Sequence, residues 1–473
     1  MRLTYLFELA EKYLKLGLTA AGLMAGCVCA AYLIYRKVLH GKAGFPLKKL
    51  AAAAVILCYL TVVFGATLLE RSSVWSGRQV SLLPFLSYRE AWNSFSMQAW
   101  RNIILNICMF IPLGFLLPFY GRYWQKAFRT YLTGFAFTLF IELVQLIFSL
   151  GIFELDDLFN NLLGTMTGYG FYRLFCLASK KNRPDRKTLL TTALYQLPLI
   201  LAAVMFLTIF TVYRLQEFGN LQFCYISRAD MSSTELTLQT DLSAQTPEVP
   251  VYRMSVADES QTHALAQELF ERLGTQADDS QTDLYDNTAV YWNPGRMYSV
   301  WIDYAGCPLS FTDFNMFTDQ EEDGITQQEG CSREEILEAL KPFGIEVPQS
   351  AQFRDEGNGR YVFEADEPAQ DSLCQGTLSC TYFSNGKIYS FENNILTYKK
   401  YRDCTVISEQ DAFKKLKEGR FRADYFPDGL TFIEVLSVKL QYAADSKGFY
   451  QPVYAFTADV SGKKSEIIIP ALS

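Results

Sequence analysis

Residues 101–173 read RNIILNICMFIPLGFLLPFYGRYWQKAFRTYLTGFAFTLFIELVQLIFSLGIFELDDLFNNLLGTMTGYGFYR. Polar groups recur here inside runs apolar enough to be membrane helices. Glu142 and Gln145 fall within one run, and Asn102, Asn106 and Asn161 flank or enter others. A carboxylate near mid-membrane costs roughly 2.5 kcal/mol or more even on mild insertion scales, so it is retained for a site or a tight polar contact. Asn102, Asn106 and Phe110 repeat every four residues and share a helix face. Pro112 then frees main-chain carbonyls that need partners from a neighbouring helix. Glu142 and Gln145, three apart, point the same way. Asp156 and Asp157 open the next helix, where negative charge suits the dipole. Asn160, Gly164 and Gly168 follow at four-residue steps, a small face that lets another helix come close.

Outward from this stretch, the 473 residues divide into two unlike halves. Apolar runs dominate from about Leu16 to Tyr213, and an acidic, strand-rich pattern follows from about Arg214 to Ser473. The net charge of −7 argues against a nucleic-acid role. Apolar runs at about 16–35, 50–69, 103–120, 130–150, 158–178 and 189–212 predict six membrane spans. Basic residues cluster after the first (Arg36, Lys37, Lys42, Lys48, Lys49), third (Arg122, Lys126, Arg129) and fifth (Lys180, Lys181, Arg183, Arg186, Lys187). By the positive-inside rule these loops are cytoplasmic, which puts both termini, the FELDD turn and the whole C-terminal half outside. The first run is followed by Arg36-Lys37 rather than small residues, so it reads as a span and not a cleaved signal.

The polar set supports two readings. In one, the amides and carboxylates form a hydrogen-bond network locking spans three to five. In the other, favoured because three consecutive spans contribute, Asn102, Asn106, Glu142, Gln145, Asp156, Asp157, Asn160 and Asn161 line a pocket open to the outer leaflet.

The strings NIILNICMFIPLGFLLP, IELVQ and DDLFNNLLGTMTGYG resemble, in order, three elements of the VanZ family of membrane proteins: an Asn-rich F-x-P-x-G-F-L-L-P helix, E-x-x-Q, and D-D-x-x-x-N-x-x-G. Asn106, Phe110, Pro112 and Gly114 match the first. Glu142 and Gln145 match the second, and Asp156, Asp157, Asn161 and Gly164 the third. One departure is Phe153-Glu154, where members often carry a basic residue and serine. The resemblance covers about 70–175 and implies a Gram-positive cell-envelope protein tied to low-level resistance to teicoplanin. That drug carries a fatty chain, so the implied ligand is a lipid or lipidated molecule. The resemblance supplies no reaction.

Beyond Tyr213 a helix-then-strands unit recurs. Helices are expected at 262–274, 332–344 and 408–421, the last two opened by the pairs Ser332/Glu335 and Ser408/Asp411. Asn385-Gly386 marks a hairpin turn. The expected fold is a six-helix membrane bundle followed by an extracytoplasmic α+β domain of repeated helix-plus-antiparallel-sheet modules. Its segments are a transmembrane hairpin (1–69), a VanZ-like domain (70–178), a link and sixth span (179–213), and modules at 214–330, 331–403 and 404–473. The last module also resembles PepSY-like or YycH/YycI-type regulatory modules, which implies interaction. Cys224, Cys307, Cys331, Cys374, Cys380 and Cys404 permit disulfides without fixing a pairing. Neither a metal site nor a cofactor is expected. His263 reads as a surface residue, and FTDQEEDG (317–324) as a solvated acidic loop without calcium-loop spacing. The function expected is a non-catalytic envelope protein whose bundle handles a lipid or lipidated molecule and whose outer half binds a wall component or envelope protein. The alternatives are an enzyme on a lipid-linked substrate and an envelope-stress sensor or scaffold.

Overall fold

The computed structural model describes residues 3–38, 40, 45, 47–69, 79–180, 183–221, 228–285, 287–322, 324–369, 371–423 and 430–473. Lys42, Lys181 and Cys224 lie outside them. The chain divides into two units, Met1–Glu217 and Phe218–Ser473.

The first unit is helical: α1 (Leu3–Lys37), α2 (Leu47–Phe64), α3 (Leu86–Ser94), α4 (Met97–Tyr120), α5 (Ala127–Ile147), α6 (Leu155–Ala178), α7 (Arg186–Leu194) and α8 (Leu197–Leu215). Among the described residues, Glu11–Lys37, Leu50–Leu69, Met97–Tyr120, Ala127–Ile147 and Leu197–Leu215 are long and apolar enough to cross a membrane. The fifth expected span, α6, is 24 residues long but is not in that set. It buries Asp156, Asn160, Asn161, Thr165 and Thr167, so its polar side chains face its neighbours.

Several helix joints differ from the simple run-by-run reading. The run 189–212 is divided between α7 and α8, because Pro198 suits the first turn of a new helix. Gln196 bridges that break, its Nε2 donating to the carbonyls of Gly170 (3.0 Å) and Thr192 (3.1 Å). After α2, Gly65–Leu69 continues as one π-helical turn. Within α4 the helix runs unbroken through Pro112 and Pro118. Tyr59 on α2 donates its hydroxyl to the Met109 carbonyl (3.0 Å), a cross-helix bond one residue past Cys108, the carbonyl that Pro112 cannot serve.

Helix α6 packs against α4 through glycines. A Cβ on Gly164 would stand 2.0 Å from the Ile107 carbonyl oxygen, and one on Gly168 2.0 Å from that of Ile111. On the facing side, a Cβ on Gly114 would stand 1.9 Å from the Thr165 carbonyl oxygen. Such contacts are backbone to backbone, so only glycine admits them. The α5 face that meets the core repeats at helical spacing: Thr130, Gly134, Thr138, Ile141, Glu142 and Gln145.

In the second unit, fourteen described strands form one hydrogen-bonded sheet. Numbering follows a short parallel pair in the first unit, β1 (Val80–Ser81) with β2 (Phe153–Glu154). The strands are β3 (Glu235–Leu238), β4 (Glu248–Arg253), β5 (Asp283–Leu284), β6 (Thr288–Trp292), β7 (Tyr298–Asp303), β8 (Leu309–Asp313), β9 (Gln352–Gly357), β10 (Arg360–Pro368), β11 (Ser372–Tyr382), β12 (Ile388–Asn393), β13 (Leu396–Thr405), β14 (Phe432–Ala444), β15 (Phe449–Val460) and β16 (Lys463–Pro470). The main path runs β3-β14-β15-β4-β13-β11-β12-β8-β7-β6-β5. Helices α9 (Glu259–Arg272), α10 (Asn315–Glu322), α11 (Arg333–Leu340) and α12 (Glu409–Lys417) complete the unit.

Two apolar cores organise these layers. Phe270 of α9 and Ile336 and Leu340 of α11 share one core with Tyr291, Val300, Phe311, Phe363 and Phe391. Ala412 and Leu416 of α12 pack separately on Ile433, Phe456 and Ile467. Strand β4, which precedes the first of these helices, pairs with β13 and β15, so strands from all three expected segments interleave in one sheet.

The expected helix starts are present. Ser332 Oγ accepts from Glu335 N (3.3 Å), and Glu335 Oε2 accepts from Ser332 N (2.7 Å). We expect Ser332→Ala to lower the unfolding free energy by ~1 kcal/mol, seen as a shifted denaturation midpoint with unchanged slope. A further capping box, Asp258 with Gln261, opens α9 earlier than the sequence implied. The hairpin at Asn385-Gly386 forms with Gly386 alone at positive φ (+79°), a type I turn closed by a bulge rather than a two-residue primed turn. The acidic stretch 317–324 is solvated as expected, with Thr318, Gln320 and Glu321 exposed, but it is not a loop: Asn315–Glu322 is helical, Asp319 accepts a hydrogen bond from Tyr389, and Asp323 lies outside the described residues. His263 sits at the surface with Nε2 2.8 Å from Asp279 Oδ1. Cys307, Cys331, Cys374 and Cys380 carry free thiols.

Candidate functional site

Helices α4 and α6 run parallel and α5 runs against them, so the start of α4, the end of α5 and the start of α6 share one end of the bundle. All eight polar residues singled out from the sequence lie toward that end. The basic residues Arg122 and Lys126, between α4 and α5, and Arg129, in the first turn of α5, lie at the other.

Asp156 is buried at 4% exposure. Its Oδ1 accepts from Phe85 N (2.6 Å), and its Oδ2 accepts from Ser87 N (2.9 Å) and Ser87 Oγ (2.7 Å). It therefore caps the start of α3 from another helix, satisfying main-chain donors with no partner of their own. The cap also holds Phe85 at φ +60°, a left-handed conformation unfavourable for a bulky residue. The Phe85 ring packs edge-on against Tyr88 and Phe159.

Neighbouring groups tie the other helices together. Tyr88 on α3 donates to Asn160 Oδ1 (2.5 Å), and Asn161 Nδ2 donates to Thr138 Oγ1 on α5 (2.7 Å). Gln145 Nε2 donates to the Thr67 carbonyl (2.9 Å) in the π-helical turn. Glu142, 2% exposed, accepts at Oε2 from Glu154 N (3.4 Å) and so connects α5 to β2. Asn106 Nδ2 donates to Asp157 Oδ1 (2.6 Å), and both residues are half-buried. Asn102, one turn before Asn106, is exposed.

The structure thus brings seven of the eight residues into cross-element contacts and leaves Asn102 at the surface. Some hydrogen-bonding capacity stays unused inside. Gln145 Oε1, Asn160 Nδ2 and Asn161 Oδ1 are buried without a partner. Orphaned buried polar atoms are uncommon and need a reason. No group of three or more metal-capable side chains occurs among the described residues.

Ser87, Tyr88, Thr67 and Thr138 belong to this network and were not singled out. Thr138 carried a signal, because it precedes Glu142 by four and Gln145 by seven on one helix face. Ser87 and Tyr88 carried none, lying in α3, a nine-residue helix too short to register as a span.

Residues 50–176 match the family model described as VanZ/LLP1. The chain carries a VanZ-like domain. All eight candidate residues fall inside it, and the domain together with the apolar helices makes this a membrane protein. No curated protein sequence matches the chain. Among solved structures, the Bacillus megaterium YpeB C-terminal domain is similar to 46% of this chain over 95% of its own length, with 13% identity and a TM-score of 0.22.

Proposed function

We propose that this is a non-catalytic protein of a Gram-positive cell envelope whose VanZ-like domain engages a lipid or lipidated molecule, such as teicoplanin, at the Asn106–Asp157 end of the bundle. The observation carrying this reading is the half-buried Asn106–Asp157 pair at the same end of the bundle as three buried amide atoms with no hydrogen-bond partner, on Gln145, Asn160 and Asn161. Unfilled donors and acceptors cost about 1–3 kcal/mol each, and a polar headgroup or glycopeptide amide would fill them. Basic residues at the opposite end support an outward-facing polar end by the positive-inside rule. With α6 counted as a span, the same rule favours an outer position for the sheet-rich unit, where it would contact a wall component or an envelope protein.

An enzyme acting on a lipid-linked substrate has less support. Asp156 and Glu142 accept main-chain N–H groups that join elements of the bundle, which favours a structural over an acid–base role for these two carboxylates.

The test is drug tolerance at matched protein level. Cells expressing the full chain should tolerate more teicoplanin than cells without it, and a glycopeptide lacking the fatty chain should show little difference. Asp157→Asn should abolish the gain while the protein still reaches the membrane. Undiminished protection by that variant would remove the pair from the mechanism.

A further inference from the structure

We propose that the sheet face of β5–β8 turned away from α9 binds an uncharged or amine-bearing glycan strand, with Tyr285 and Trp301 as its stacking platform. This deepens the wall-contact part of the reading above and depends on it only for the side of the membrane concerned.

Strand alternation defines the face. Ala289, Tyr291, Val300, Ile302 and Phe311 point into the core shared with α9. Val290, Trp292, Trp301 and Ser310 therefore point the other way. In register across the strands, Asp283 pairs with Val290, Val290 with Trp301, Trp301 with Ser310, and Ser310 with Glu392. Trp301 is 44% exposed and Tyr285 48%. Their rings lie within 7° of parallel with centroids 6.3 Å apart. Val290, in register with Trp301 on this outward face, is only 1% exposed, while both rings stay close to half open to solvent. Two large rings left open side by side on one sheet face mark a contact surface.

The surroundings select the occupant. Asp283, Asp303 and Glu392 rim the platform, and Thr288 hydrogen-bonds Asp303. Trp292, two residues along β6 from Val290, extends the aromatic strip and stacks on Phe314, with its indole N–H reaching Asp283 (3.3 Å). The nearby cation, Arg296, is engaged with the Trp292 ring and with Gln281. A rim of acceptors repels anionic polymers and matches the hydroxyls and ammonium groups of sugars. Pyranose rings supply the rest, presenting flat C–H faces to aromatic planes. A folded protein partner fits less well. Stable interfaces bury about 800 Å² per side, whereas two half-exposed rings offer on the order of 200 Å².

The full chain in lipid nanodiscs tests this by calorimetric titration with a glucosamine hexamer and an N-acetylglucosamine hexamer, with heparin as the anionic comparator. At least one hexamer should bind, and heparin should not. Trp301→Leu and Tyr285→Leu keep an apolar side chain but remove the ring, and each should weaken binding about tenfold, near 1.4 kcal/mol. Trp301→Phe should retain most of the affinity, and melting temperatures should stay at the wild-type value. Failure of both hexamers to bind the wild type, wild-type affinity in Trp301→Leu, or tighter binding of heparin would each overturn the proposal. The orientation reading is checked separately by protease accessibility of the C-terminal unit on intact protoplasts, so either can fail alone.

Discussion

Gly164→Ala and Gly168→Ala should each abolish the native packing of α4 against α6. The added methyl would meet a main-chain carbonyl oxygen at 2.0 Å in both cases, on Ile107 and Ile111. A flexible side chain could swing aside, but a helix backbone must translate as a whole. Overpacking in a close-packed interior destabilises by ~1–3 kcal/mol, and a backbone obstacle belongs at or above the top of that range. Separating the helices would also stretch the Asn106–Asp157 bond, which spans the same two elements. Gly22→Ala and Gly26→Ala in α1 provide the comparison, because nothing lies within 4 Å of a Cβ at either position. Those changes should be neutral or stabilising by up to ~1 kcal/mol through helix propensity. Thermal denaturation of the four variants in one detergent separates the pairs. Equal midpoints across all four would mean that α4 and α6 are not in close contact.

This glycine face was legible in the sequence because it depends on spacing within one helix. Asn160, Gly164 and Gly168 step by four, and a four-step row of small residues has few meanings between apolar helices. The polar membership of the site was legible for a related reason: Glu142 or Asn106 in an apolar run is conspicuous whatever surrounds it. The partners were not legible. Whether Gln145 meets another amide or the Thr67 carbonyl depends on where a π-helical turn places that oxygen. The break between α7 and α8 had a visible cause in Pro198, yet the continuous apolar run masked it. In the second unit the capped helices at Ser332 and Ser408 were readable from four-residue signatures. The pairing of β4 with β13 and β15 was not, since partners about 150 residues or more apart leave no local mark. The acidic helix α10 was missed because charge density alone describes a solvated surface and says little of its backbone.

The two adjacent aspartates should separate cleanly under one substitution. Asp156 meets three donors: two main-chain N–H groups and the Ser87 hydroxyl. A carboxylate is acceptor-only and can serve all of them. An asparagine there keeps one oxygen and turns its amide NH2 toward either Phe85 N–H or Ser87 N–H, donor against donor. Asp156→Asn should therefore destabilise almost as much as Asp156→Ala, by about 3 kcal/mol, and release Phe85 from its left-handed conformation. Amide exchange at Phe85 and Ser87 should accelerate in both variants. Asp157 faces a different demand, because Asn106 presents an NH2 to its Oδ1 and an asparagine oxygen can still accept that bond, though without the charge. Asp157→Asn should keep exchange at those two amides near wild type and retain most of the stability, while removing the charge on which ligand engagement is proposed to depend. Protection against teicoplanin would then fall in both variants for different reasons: less folded protein with Asp156→Asn, full protein without function with Asp157→Asn. Wild-type exchange at Phe85 in Asp156→Asn would show that the α3 cap does not depend on this carboxylate and would dissolve the distinction.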